Sequence, residues 1–206
     1  MNVYMKRILA TIIVLIPVFL VLLLWLTMMP ISSRFTNLST TLLSIGRISS
    51  LVGLSLYSLS LMLHVRITFL LKIMDGPYIA TLHHGLGSWA LVFLLIHPLA
   101  LASRFISLEP YYAARFLLPF DNLVNLAGFL ALMIMIVAML VTYYYKNNHT
   151  LWLWIHRSML LAFVGALLHL LFVTSDVSAS PILKYYLIFL MATGLLAFTY
   201  QRVSRL

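Results

Sequence analysis

Four histidines are spaced in a way that points to a chemistry. His83 and His97 lie fourteen residues apart in one apolar run, and His156 and His169 lie thirteen apart in another. A helix rises about 1.5 Å per residue, so each pair is separated by roughly 20 Å along its axis. If both helices cross a bilayer in the same direction, each offers one imidazole near one face and one near the other. Two stacked hemes require this arrangement. Each iron has two axial positions on opposite sides of its porphyrin, and two facing helices supply both. Fourteen residues at about 100° each return to within about 40° of the starting direction, so His83 and His97 share a face; thirteen leave an offset of about 140°. A distortion near Gly165, a different ring rotamer or rotated porphyrins would reconcile the second pair, and spacing does not choose among them.

A proton or cation path is the competing reading of imidazoles in a membrane span. Such paths use carboxylates as well. None of the four acidic residues, Asp75, Glu109, Asp121 and Asp176, falls inside an apolar run. His84 points about 100° away from His83 and reads as a lipid-facing neighbour or a donor to a heme carboxylate. His64 and His149 sit at run ends and read as interfacial residues.

The elements that must position these rings follow from composition. The chain has 206 residues, of which 64% are hydrophobic and only 8% charged. A soluble domain of this length cannot hide so much apolar surface, so lipid is the expected solvent. Six runs reach the roughly 20 apolar residues that a crossing helix needs. They are Ile8 to Met29, about Leu43 to Leu63, about Ile79 to Ala102, Leu123 to Tyr144, Leu151 to Val173, and Ile182 to Tyr200. Turn formers separate them: Pro30, Asp75-Gly76-Pro77, Glu109-Pro110, Asn147-Asn148 and Pro181. The expected fold is an all-α, six-helix transmembrane bundle. Residues 1–42 hold the first span and an outer loop, 43–200 the histidine-bearing domain, and 201–206 a short basic tail.

Cation placement sets the expected orientation. Lys6, Arg7, Arg66, Lys72, Lys146, Arg157, Arg202 and Arg205 collect on one side; Arg34, Arg104, Arg115 and Lys184 collect on the other, with Arg47 just inside the second span. Both termini are therefore expected in the cytoplasm, and the third and fifth spans run outward together. The formal charge of +9 is scattered over span ends and does not indicate nucleic acid. It fits a bacterial inner membrane with anionic lipid. There is no cysteine. That excludes thiolate-ligated heme, cysteine-held iron–sulfur clusters and covalent c-type attachment, so any heme is held noncovalently.

The motif HHGLGSWALVFLLIHPL in the third span resembles the H-R-x-L-G…H-P signature of the ferric reductase-like transmembrane domain, shared by ferric reductases and NADPH oxidases. WIHRSMLLAFVGALLHLL in the fifth span is similar to its H-R…H partner, and SIGRISSLVGL in the second resembles its G-R-x-x-G element. The resemblance runs over about residues 43 to 200. It implies a six-helix diheme b-type cytochrome. By position, His83 and His156 would hold the cytoplasmic-side heme and His97 and His169 the outer one. His84 falls where the family carries arginine. Arg47 matches the family arginine near the outer heme, and Arg157 directly follows a ligand on the inner side.

The implied activity is transmembrane electron transfer, in a ferric-chelate reductase or an oxidase-like system. Family members continue into flavin and nicotinamide domains. This chain ends at Leu206 and has no Gly-rich dinucleotide fingerprint, so the expectation is either a flavin carried by a separate flavoprotein reductase on the cytoplasmic side or a chain that is a piece of something longer. Leu101 stands where superoxide-producing relatives carry a further histidine. A second reading is the heme-binding membrane subunit of a bacterial methionine sulfoxide reductase system. A third, of another class, is a non-redox transporter or scaffold. The loop FISLEPYYAARFLLPFDN is expected to cover the outer heme as an amphipathic lid or to lie in the interface, anchored by Tyr111 and Tyr112. Trp152 and Trp154 read as an aromatic belt, and Trp89 as packing for a macrocycle.

Overall fold

The computed structural model describes residues 3–27, 34–64, 74–106, 109–145, 148–172 and 180–203. Seven α-helices and no strand occur among them: α1 Val3–Thr27, α2 Leu38–His64, α3 Gly76–Ile106, α4 Pro110–Leu117, α5 Leu123–Tyr144, α6 His149–Phe172 and α7 Pro181–Val203. All but α4 are long and apolar enough to cross a membrane, as a multi-pass membrane protein requires. Several residues used above lie outside the described ones. They are Met29, Pro30, Arg66, Lys72, Lys146, Asn147, Val173, Asp176 and Arg205, with the side chains of His64 and Arg202.

Helix starts are set by capping rather than by the edge of the apolar run. Asn37, Asp75, Asn122, Asn148 and Ser180 each accept a hydrogen bond from a backbone N–H in the first turn of α2, α3, α5, α6 and α7. These orphan donors need an acceptor. α2 and α3 therefore begin several residues before the apolar stretches Leu43 to Leu63 and Ile79 to Ala102. The run Leu123 to Tyr144 coincides with α5, because Asn122 stands directly before its first apolar residue.

α2 is the central helix. It packs along α3 and also against α1 and α7, while α5 pairs with α6. Its approach to α3 is close because its contact face is small. A Cβ on Gly46 would stand 2.9 Å from the Leu101 side chain, and one on Gly53 would stand 2.7 Å from Leu94. The buried hydroxyls of Ser55 and Ser58 turn back to the carbonyls of Leu51 and Leu54 in their own helix, so they stay satisfied away from water. α3 and α6, which carry the histidines, barely touch each other. The bundle is thus two helix pairs with a gap between its histidine-bearing members. Phe19, Leu161 and Phe189 are each about two-thirds exposed on the perimeter. That is an unfavourable surface in water and an ordinary one in lipid.

Polar contacts hold both ends. At the lower end, where α1 begins, Arg7 pairs with Asp75 and the Thr11 hydroxyl lies 2.5 Å from that of Tyr78. The Arg7 guanidinium holds the Asp75 carboxyl below its usual range. At the upper end, Arg104 donates to Ser39 across α3 and α2, and Arg34 donates to the carbonyls of Trp25 and Leu26, closing α1.

One contact ties the two helix pairs together. The buried Tyr57 of α2 donates its hydroxyl to the Met159 carbonyl of α6 at 2.5 Å and sets its ring edge-on to Phe163, centroids 5.2 Å apart. Tyr57→Phe keeps the ring and removes the bond. A hydrogen bond of this kind contributes about 0.5–1.5 kcal/mol in proteins and about 0.6 kcal/mol between membrane helices. The variant is expected to unfold about 1 kcal/mol more easily in detergent, read by denaturant titration of helicity. A loss above about 3 kcal/mol would mean that the ring contact had failed too.

Candidate functional site

The tertiary structure brings the four histidines together in the two expected pairs. At the lower level, the rings of His83 and His156 face each other with centroids 6.1 Å apart and planes inclined by 77°. At the upper level, His97 and His169 line one cavity of about 710 Å³, within the range of about 300–1,000 Å³ typical of small-molecule sites. Each helix runs from the lower pair to the upper one, so α3 and α6 are parallel in direction.

Each of three rings hangs on a backbone carbonyl of its neighbouring helix. His97 donates from Nδ1 to Gly46 O at 2.8 Å, His169 to Val124 O at 2.8 Å, and His83 to Ser60 O at 2.8 Å. A carbonyl oxygen can only accept, so Nδ1 carries the proton. In a neutral imidazole the lone pair is then on Nε2. Fixing the tautomer this way is the usual preparation of a metal-ligating histidine. His156 is held differently. Its ring lies flat on Trp152 of its own helix, centroids 5.0 Å apart and planes within 13°. The two rings of α6 are therefore anchored on different neighbours. α6 runs unbroken past Gly165, so no helix break at that glycine reorients the rings.

One glycine makes room for an upper ring. A Cβ on Gly128 would stand 2.9 Å from Cγ of His169 and 3.0 Å from its Nδ1. Gly128 is one turn after Val124, so the His169 ring is seated across that turn. Gly46 instead makes room for the α3 backbone, where a Cβ would lie 3.2 Å from the His97 carbonyl.

Arg47 lines the upper cavity together with both histidines. Arg157 does not line it. It is exposed, with its guanidinium carbon 5.8 Å from the Trp154 ring. His84 is exposed and touches His83 edge to face, centroids 5.4 Å apart. Trp89 is 61% exposed and packs on Phe93. The outer loop divides its roles. Phe116, Leu117 and Pro119 line the cavity, whereas Tyr111 and Tyr112 face outward. α4 is thus a lid on the cavity, tied by the ion pair of Arg115 with Asp121. The Arg115 guanidinium holds the Asp121 carboxyl below its usual range.

Sequence reasoning missed Ser60, Trp25 and the carbonyls of Gly46 and Val124. Trp25 of α1 is buried and lines the upper cavity from a helix that carries no motif. Trp152 was read only as a belt residue, although its spacing of four from His156 is the signal that would have found the stack. Among the described residues, no three or more His, Asp or Glu side chains converge as on a bare metal ion; a porphyrin-held iron asks the protein for two. No family model, curated protein or solved structure matches this chain.

Proposed function

We propose that the chain is a diheme b-type cytochrome that carries electrons across a bilayer from a flavin donor at the lower, cytoplasmic end to an acceptor at the upper, outer end. The single observation that carries this reading is the set of three imidazoles whose Nδ1–H is spent on a carbonyl, which puts the ring lone pair on Nε2, in two pairs at two levels. The residues fit the group. Metal–imidazole bonds of about 2.0–2.1 Å put the ring centres of two opposed ligands about 6 Å apart, as His83 and His156 stand. The cavity of about 710 Å³ at His97 and His169 offers space for one macrocycle, and the His83–His156 pair would hold the second. The motif resemblance to the ferric reductase-like transmembrane domain supports the same assignment.

When bound, heme supplies reversible one-electron chemistry. The protein's part is positioning and tuning, through the axial rings, their hydrogen bonds and nearby charge. His83 with His156 would hold the lower heme, and His97 with His169 the upper one. With two imidazoles committed to each iron, the acceptor would take electrons at the cavity edge beneath α4. Arg47 would otherwise cost about 2.5–3.5 kcal/mol inside a span; facing the cavity, it offers its charge to a heme carboxylate. The cation bias read from the sequence, eight against five, supports a cytoplasmic lower end and a bacterial inner membrane. Outward transfer is then favoured by about 2.3 kcal/mol per 100 mV of potential, interior negative.

The donor is a flavin, and the acceptor is a ferric chelate, oxygen, a quinone or a periplasmic protein. A dithionite-reduced minus oxidised spectrum of the purified chain tests the core of the reading. A b-type α-band with two hemes per chain is expected; a colourless preparation that takes up no added hemin would leave the transporter or scaffold reading in its place.

A further inference from the structure

The two levels are not equivalent in their hydrogen bonds. At the upper level, His97 and His169 each meet one carbonyl oxygen. At the lower level, Nδ1 of His83 meets two oxygens of one residue, Ser60 O at 2.8 Å and Ser60 Oγ at 3.0 Å. The hydroxyl donates its proton to the His83 carbonyl at 3.2 Å, so a lone pair of Oγ is turned toward the ring nitrogen. Ser60 is only 4% exposed, so the contact is shielded from bulk solvent. A second serine near the upper cavity, Ser50, spends its hydroxyl on the Arg47 carbonyl of its own helix and lends nothing to a ring.

An additional acceptor on Nδ1–H pushes electron density onto the imidazole and strengthens it as a donor to the metal. A stronger donor stabilises ferric over ferrous iron. Resting on the diheme reading above, we propose that the Ser60 hydroxyl lowers the reduction potential of the lower heme relative to the upper one, so that electrons step downhill in the outward direction. In that step one electron leaves the lower iron, which goes from ferrous to ferric, and reduces the upper iron from ferric to ferrous. No bond or proton changes hands, and the reduced flavin restores the lower iron.

Spectroelectrochemical titration of the detergent-purified chain, followed at the α-band with heme content measured in parallel, tests this. Ser60→Ala deletes Oγ and keeps the backbone carbonyl. The lower heme is expected to become roughly threefold more reduced at a fixed ambient potential, about 30 mV at 59 mV per tenfold for one electron. The upper heme should stay in place. Ser60→Thr, which keeps the hydroxyl, should titrate like the native chain, and Ser60→Cys, a weaker acceptor, should move the same heme the same way. The heme that moves must be the one retained in His97→Ala. Unchanged potentials in both Ser60→Ala and Ser60→Cys with two hemes retained would overturn the proposal. So would loss of the lower heme from Ser60→Ala, which would make the hydroxyl an anchor rather than a tuning group. Failure of the diheme reading itself looks different: the native chain then shows no α-band at all.

Discussion

His97→Ala is expected to halve the heme content, from two per chain to one, and to leave a b-type spectrum of half the intensity. His97 is the proposed ligand whose support is most complete. Its ring bonds Gly46 O at 2.8 Å and lines the upper cavity opposite His169. Removing it leaves the upper iron with one axial ring, and a noncovalent heme in a chain without cysteine has no other tether to iron. Secondary effects are small by comparison. The Gly46 carbonyl keeps its own helical partner, so no buried acceptor is orphaned. His156→Ala should remove the other heme instead, and the pair of substitutions should remove both. His84→Ala, altering an exposed ring, should change nothing in the heme stoichiometry. Pyridine hemochrome assay against protein mass reads all four variants. Two hemes retained in His97→Ala would detach this ligand from the site and, with it, the pairing by level.

Gly128→Ala should strip or loosen the upper heme without touching a ligand. The added Cβ would meet the His169 ring at 2.9 Å, nearer than side chains pack, at an atom close to the root of that side chain. The ring must swing, and its 2.8 Å bond to Val124 O must lengthen or break. Overpacking of this kind costs about 1–3 kcal/mol, while alanine in a helix interior gains about 0.8–1.0 kcal/mol over glycine. The two terms fall on different properties. The helix itself should be slightly more stable, and the upper heme should bind about tenfold or more weakly, since about 1.4 kcal/mol is tenfold. Circular dichroism and hemin titration separate them. Gly85→Ala is the control, because a Cβ there meets nothing within 4 Å; it should retain both hemes. Normal upper-heme affinity in Gly128→Ala would show that His169 is not seated on that turn when heme is bound.

Several features of the molecule were fixed by residue order alone. The six apolar runs had to become helices in lipid, because only internal hydrogen bonding satisfies a backbone there. The rise per residue then put His83 with His156 and His97 with His169 at two levels, since height along a helix depends on residue count and nothing else. The lack of cysteine decided that any heme is held without a covalent thioether.

What the tertiary structure alone decided was direction and support. Which way a ring points depends on how each helix is rolled against its neighbours, and that roll is a sum over contacts remote in sequence. The offset of about 140° between His156 and His169 was therefore unreadable until Trp152 proved to hold one ring and Val124 the other. The supporting carbonyls were equally invisible. Every residue carries a C=O, so nothing in the letters marks those of Gly46, Ser60 and Val124 as acceptors. Arg47 and Arg157 looked alike as arginines beside heme motifs; packing turned one to the cavity and left the other exposed. Even the space between α3 and α6 is a product of packing elsewhere. Small residues draw α2 onto α3, and a tight seam joins α5 to α6 where Gly165 meets the Ala127 carbonyl, so the two histidine helices are held beside their partners and not against each other.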